Sequence, residues 1–138
     1  MELILPEFYW CGNRYFSISL HCPSVGGMSA VEVHHVVTGP SDAPVVVLSN
    51  SLGSTHRMWD AQAESLAQRF RVVRYDTRGH GESPVPPGPY SIDDLADDVV
   101  ALLDRLEVPR AHLVGLSLGG MTAMRVAARS VQLLAGPR

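Results

Sequence analysis

Hydrophobic residues change period several times along this chain, and each change marks the border of a predicted element. Phe16-Ser17-Ile18-Ser19-Leu20 alternates apolar and polar, as a half-buried strand does. Residues 30–37 predict a second strand, closed by the turn residues Thr38-Gly39-Pro40-Ser41-Asp42. Val45-Val46-Val47-Leu48 is apolar without interruption, the pattern of a strand covered on both faces in a parallel sheet. Over residues 58–70 the period becomes helical, with Trp59, Ala63, Leu66 and Phe70 on one face. Arg71–Tyr75 predicts the next strand. Ile92, Leu95, Ala96, Val99, Leu102, Leu103 and Leu106 then mark the apolar face of a second helix. Pro109 stops that helix, and Ala111-His112-Leu113-Val114 predicts a final strand.

Local chemistry supports these borders. Ser91 and Asp94 form a capping-box pair at the start of the second helix. Asp93, Asp94, Asp97 and Asp98 favour the positive end of that helix's dipole and are expected to face solvent. Strand and helix alternate three times, which predicts a mostly parallel α/β sheet with flanking helices. Chemistry in such sheets sits beyond the carboxyl ends of the strands. Two stretches are expected there: the small polar loop Ser49-Asn50-Ser51-Leu52-Gly53-Ser54, and Gly115-Leu116-Ser117-Leu118-Gly119 after the last strand.

The second stretch is Gly-x-Ser-x-Gly between a strand and a helix. On such a turn the serine is forced into a strained conformation that pushes its hydroxyl beyond the sheet. Residues two before and two after it nearly touch, hence Gly115 and Gly119. The alternative is a glycine-rich turn with an idle serine, and the position at the sheet's carboxyl end favours an active site. His80 and Asp76, in Asp76-Thr77-Arg78-Gly79-His80-Gly81-Glu82-Ser83, offer a base and its orienter, or else hydrogen bonds that hold the loop. His34 and His35 are adjacent on a strand, point to opposite faces and cannot hold one metal together.

Composition narrows the function classes. With 138 residues and 46% hydrophobic content the chain is at most one domain. Its net charge of −3 and scattered basic residues, eleven arginines and no lysine, give no case for nucleic acid. No apolar run is long enough to span a bilayer. The start, Met1-Glu2 followed by Pro6, lacks a signal-peptide pattern, so a reducing cytoplasm is expected. Cys11 and Cys22 have no C-x-x-C neighbour and point to neither a disulfide nor a metal. Residues 1–27 differ from the rest in carrying both cysteines and five aromatics. They are read as an upstream extension outside the fold, with Met28 as the natural start, against the alternation at 16–20.

The polar loop after the buried strand, Tyr75-Asp76-Thr77-Arg78-Gly79-His80-Gly81-Glu82-Ser83 and Gly115-Leu116-Ser117-Leu118-Gly119-Gly120 together resemble the α/β-hydrolase superfamily. Leu48-Ser49-Asn50-Ser51-Leu52-Gly53-Ser54 with Met58-Trp59-Asp60 looks most like the β-ketoadipate enol-lactone hydrolases. These enzymes open a small lactone in aromatic-acid breakdown. Many relatives carry His-Gly where Asn50-Ser51 stands, a departure shared with the lactonases. The resemblance covers roughly residues 30–129. It implies Ser117 as nucleophile on a small ester or lactone, and the N–H groups of Leu52 and Leu118 as the oxyanion hole. It implies no cofactor and no metal, and serine excludes the relatives with an aspartate nucleophile.

The superfamily's acid and histidine follow the nucleophile, yet no Asp, Glu or His follows Ser117. Residues 28–138 are therefore expected to be the N-terminal part of an α/β-hydrolase domain, lacking the later strands and the lid and inactive alone. The other reading is a non-catalytic remnant, or a piece that needs a partner chain. Without a later strand, the last strand is expected to expose a backbone edge that invites self-association.

Overall fold

The uninterrupted apolar run at 45–48 becomes the middle of the sheet, because residues apolar on both faces must be covered on both faces. The computed structural model describes the backbone of residues 8–11, 15–21 and 30–135 and the side chains of residues 30–129. Its strands are β1 (Phe8–Cys11), β2 (Tyr15–His21), β3 (His35–Thr38), β4 (Val45–Ser49), β5 (Arg71–Tyr75) and β6 (Arg110–Gly115). Its α-helices are α1 (Asp60–Leu66), α2 (Ile92–Arg105) and α3 (Leu118–Ala135). Among the described residues the sheet runs β1-β2-β6-β4-β5-β3. The core β6-β4-β5 is parallel, with Val46 opposite both His112 and Val72.

Alternation along β4 sorts its side chains between two layers. Val45 and Val47 pack with Val73, Leu113, the α2 residues Val99, Leu102 and Leu103, and Val126 of α3. Val46 and Leu48 face the other way, against Trp59 and Ala63. Helix α1 therefore lies on one face, and α2 and α3 on the other. The chain leaves β4 toward one face and leaves the adjacent β6 toward the opposite one. The two departures open a crevice at the carboxyl ends of β4 and β6, the switch point of a doubly wound sheet.

Three elements differ from their predicted form. Residues 30–34 are not strand, because side chains capture their amides: Val31 N donates to Asp98 Oδ1 (2.8 Å) and His34 N to Ser83 Oγ (2.8 Å). The helix predicted over 58–70 divides into a 3₁₀ turn at His56–Trp59 and the short α1. The amides of Arg69 and Phe70 both close on Leu66 O, tightening the chain into β5. The third difference is Asp98, which is buried and not solvent-facing. The guanidinium of Arg78 grips it through Nε and Nη2, both at 2.7 Å. That grip holds the Arg78 guanidinium above its ordinary pKa, against the effect of burial. The capping box at Ser91 and Asp94 forms as predicted. Asp93 and Asp97 turn to Arg125 and Arg129 and tie α2 to α3.

The edge of β6 is not bare. Inside residues 1–27, β1 and β2 form an antiparallel pair, and β2 runs antiparallel along β6 from Phe16↔Gly115 to His21↔Arg110. The reason is physical: an open edge of unpaired N–H and C=O groups accepts any strand in reach, and the segment containing 16–20 has a strand's alternation. The readings of the start, of Cys22 and of Met28 fall outside the described residues, as does the side chain of Cys11.

Two outcomes follow. Replacing Arg78 by Met leaves Asp98 buried without its counter-charge and is expected to cost about 3–5 kcal/mol in urea unfolding. Arg125→Ala, at a more exposed pair, should move the midpoint far less. Deleting residues 1–27 uncovers the β6 edge and should shift the chain toward larger species than the parent in sedimentation velocity. An unchanged size distribution with an unchanged melting point would show that β2 does not protect that edge.

Candidate active site

Strand β6 ends at Gly115, and only two residues separate it from α3, which begins at Leu118. The reversal forces Ser117 into the left-handed region at φ 53°, where a non-glycine residue stores about 1–3 kcal/mol of strain. Its side chain is exposed. A Cβ on Gly115 would lie 2.3 Å from the Gly119 carbonyl carbon, and one on Gly119 would lie 2.2 Å from Ser49 O. Both are impossible contacts, so the glycines predicted for this turn are required by space. Ser49 O also accepts the Leu116 amide at 3.2 Å, which fastens the turn to β4. Among the described residues neither the Leu118 amide nor the Ser117 hydroxyl has a protein partner. The Leu118 amide lies in the first turn of α3, where the helix dipole favours negative charge.

Across the crevice, the loop after β4 is anchored by a residue that the sequence reading noted only as a departure. Asn50 is fully buried. Its Nδ2 donates to Tyr75 O (2.7 Å) and its Oδ1 accepts from Trp59 Nε1 (3.0 Å). Beside it, Ser49 Oγ and the Tyr75 hydroxyl are 2.5 Å apart, and burial pushes that phenol well above its ordinary pKa. Beyond this anchor the loop projects outward: Leu52 is 70% exposed, and its amide has no acceptor among the described residues. The structure thus brings Gly115, Ser117, Leu118 and Gly119 together and sets Leu52 on the neighbouring loop. Chemically, this is an exposed hydroxyl beside a helix N-terminus, with amides left over for an oxyanion.

His80 and Asp76 do not pair. Asp76 takes the amide of His56 (2.7 Å) and its Nδ1 (3.0 Å) on Oδ1, and the amide of Glu82 (3.0 Å) on Oδ2. Burial alone would raise its pKa; the hydrogen bonds from the His56 and Glu82 amides and the His56 ring outweigh that and hold the carboxyl below the usual range. The His34 ring lies 5.4 Å from that of His56, and among the described residues His34, His56 and Asp76 come nearest to a metal-ligand set. The carboxylate's three existing hydrogen bonds leave the group better suited to clamping two loops than to ligating a cation. His112 faces Phe70 on the α1 side, in mid-strand. A cavity of about 410 Å³ opens at the amino ends of β4, β5 and β6, at the far end of the sheet from Ser117.

A carboxyl held low in the folded state contributes stability above its unfolded pKa and loses it as pH falls through the folded one. Stability should therefore decline on acidification below roughly pH 5. Asp76→Asn should be less stable than the parent at pH 7 and converge with it in acid, as read from melting temperature against pH. Parallel curves would refute the clamp.

Comparison with known proteins agrees with this geometry. Residues 44–136 match the alpha/beta hydrolase fold family. The chain is 44% identical to 3-oxoadipate enol-lactonase 2 of Acinetobacter baylyi over 97 residues, 70% of this chain and 36% of that one. It is 45% identical over 85 residues to a protein named as a carbamate hydrolase, RutD, of Caulobacter segnis, covering 60% of this chain and 32% of that one. The enol-lactonase structure from Burkholderia xenovorans LB400 superposes with a TM-score of 0.70 at 48% identity, covering 72% of this chain and 39% of that one. The chain thus spans about a third of the length of the curated relatives it matches. A doubly wound sheet with a strained serine at its switch point, together with a family match over most of the chain, places this protein in the α/β hydrolase fold family.

Proposed function

We propose that this chain carries the nucleophile and oxyanion half of a serine hydrolase acting on a small ester or lactone, in the manner of the enol-lactonases. The observation that carries the reading is Ser117, held at φ 53° and exposed at the end of β6. Its Oγ would attack the acyl carbon while its proton passes to a base. The carbonyl oxygen, now negative, would rest against the amides of Leu118 and Leu52, each worth about 3 kcal/mol in the transition state. Collapse breaks the ring C–O bond, and water then releases the acyl group from Ser117. The enol-lactonases among the relatives support a lactone over other esters. Among the described residues no helix is long and apolar enough to cross a membrane.

The base is the open element. No His, Asp or Glu follows Ser117 in these 138 residues, and the loop histidines have partners of their own: His56 Nδ1 meets Asp76, and His80 Nε2 accepts the Gly53 amide. On this reading residues 28–138 are the N-terminal part of a hydrolase domain, and 1–27 an extension recruited to the sheet edge. The acid and histidine then belong to a segment outside these residues, in the same chain or a partner's.

The 138-residue chain should accordingly react slowly with a fluorophosphonate probe, and only at Ser117, with Ser117→Ala unlabelled. Lactone opening should stay within about 10³–10⁴ of the water rate, what an oxyanion hole sustains without a base. Rapid labelling, or turnover that Ser117→Ala abolishes, would show a base within this chain. Labelling unaffected by Ser117→Ala would refute the serine.

A further inference from the structure

The β5–α2 loop reaches across to the β4 loop through one side chain. His80 Nε2 lies 3.0 Å from the Gly53 amide nitrogen, and its Nδ1 lies 3.2 Å from Arg78 O. A backbone N–H only donates, so Nε2 must carry the lone pair; a carbonyl only accepts, so Nδ1 must carry the proton. The two partners therefore select one neutral tautomer. The backbone of His80 is fixed as well: its amide donates to Thr77 O at 2.9 Å, and its carbonyl accepts the Ser83 amide at 3.1 Å.

What this bond holds follows from peptide planarity. The Leu52 N–H shares a rigid unit with the Ser51 carbonyl, and the Gly53 N–H belongs to the next unit. Ser51 O is pinned by the Ser54 hydroxyl (2.6 Å) and the Ser54 amide (3.3 Å). His80 pins the second unit. With both units fixed, the torsions at Leu52 are fixed, and so is the direction of its amide, on a residue otherwise open to solvent.

We propose that His80 is a positioning residue of the oxyanion hole: its Nε2 lone pair holds the Leu52–Gly53 peptide and thereby aims the Leu52 N–H. The inference rests on the reading of Leu52 as an oxyanion donor. His80 touches no reacting atom and does not serve as the base, since its one lone pair is committed to Gly53.

The test uses the ¹⁵N-labelled 138-residue chain. Long-range ¹H–¹⁵N correlations of the imidazole should show Nδ1 protonated and Nε2 bare. A ring protonated at Nε2 overturns the proposal without any variant having to fold. His80→Ala should speed exchange of the Gly53 amide about fivefold, the scale of one hydrogen bond, and leave the Val47 and Val73 amides unchanged. His80→Gln, whose side-chain oxygen can accept the same N–H, should restore part of the protection. Fluorophosphonate labelling of Ser117 should slow in His80→Ala and recover in His80→Gln. Unchanged Gly53 exchange overturns the bond. The expected tautomer and exchange with labelling indifferent to position 80 overturns the positioning role, and leaves the assignment of Ser117 to its own alanine control.

Discussion

One backbone carbonyl, that of Ser49, sets the geometry on which the candidate site depends. It ends β4, accepts the Leu116 amide from the turn after β6, and lies against the α-carbon of Gly119 with no space for a side chain. Two neighbouring parallel strands are thus joined at their carboxyl ends by main chain alone. Because main-chain contact tolerates little displacement, the strain at Ser117 can be maintained: the surrounding structure determines its torsions more strongly than its own preference does.

Around that contact the polar groups are nearly all committed. Asn50, Asp76, Arg78 and Asp98 are buried, and each is met by partners from a different loop or helix. Buried charges of this kind contribute modestly to stability when intact and cost much when one partner is lost. Their arrangement suits the task of holding loops. Asn50 joins β4 to β5 and to the 3₁₀ turn, Asp76 joins that turn to the β5–α2 loop, and Arg78 joins the same loop to α2. Among the described residues, the amides of Leu52 and Leu118 and the Ser117 hydroxyl stand apart from this network.

The sheet edge shows the same physics in another form. A strand designed to lie inside a sheet has no device to discourage pairing, neither a charge pointing inward nor a proline within β6. In this chain β2 takes up that edge, antiparallel to a strand whose other neighbour is parallel. The alternation at 16–20 corresponds to β2, which pairs with β6 along that edge.

The sequence by itself determined whatever depends on neighbours within a few residues. Period marked β4, β5, β6 and α2; Ser91 and Asp94 specified a cap; and the spacing of Gly115, Ser117 and Gly119 specified the turn, since only glycine fits at 115 and 119. Tertiary structure decided everything that pairs residues far apart. Asp98 ends an acidic cluster over the first two turns of α2 and looks solvent-facing until Arg78, twenty positions earlier in the chain, reaches it. Asp76 has a histidine four residues ahead, yet its partner is His56, twenty residues back. Asn50 was visible only as a departure from a family pattern, because its function is to join Tyr75 and Trp59, and nothing local announces such a bridge. His80 was legible as a loop residue; that its lone pair holds Gly53 follows only from the parallel packing of β4 beside β5, which brings the two loops to the same end of the sheet.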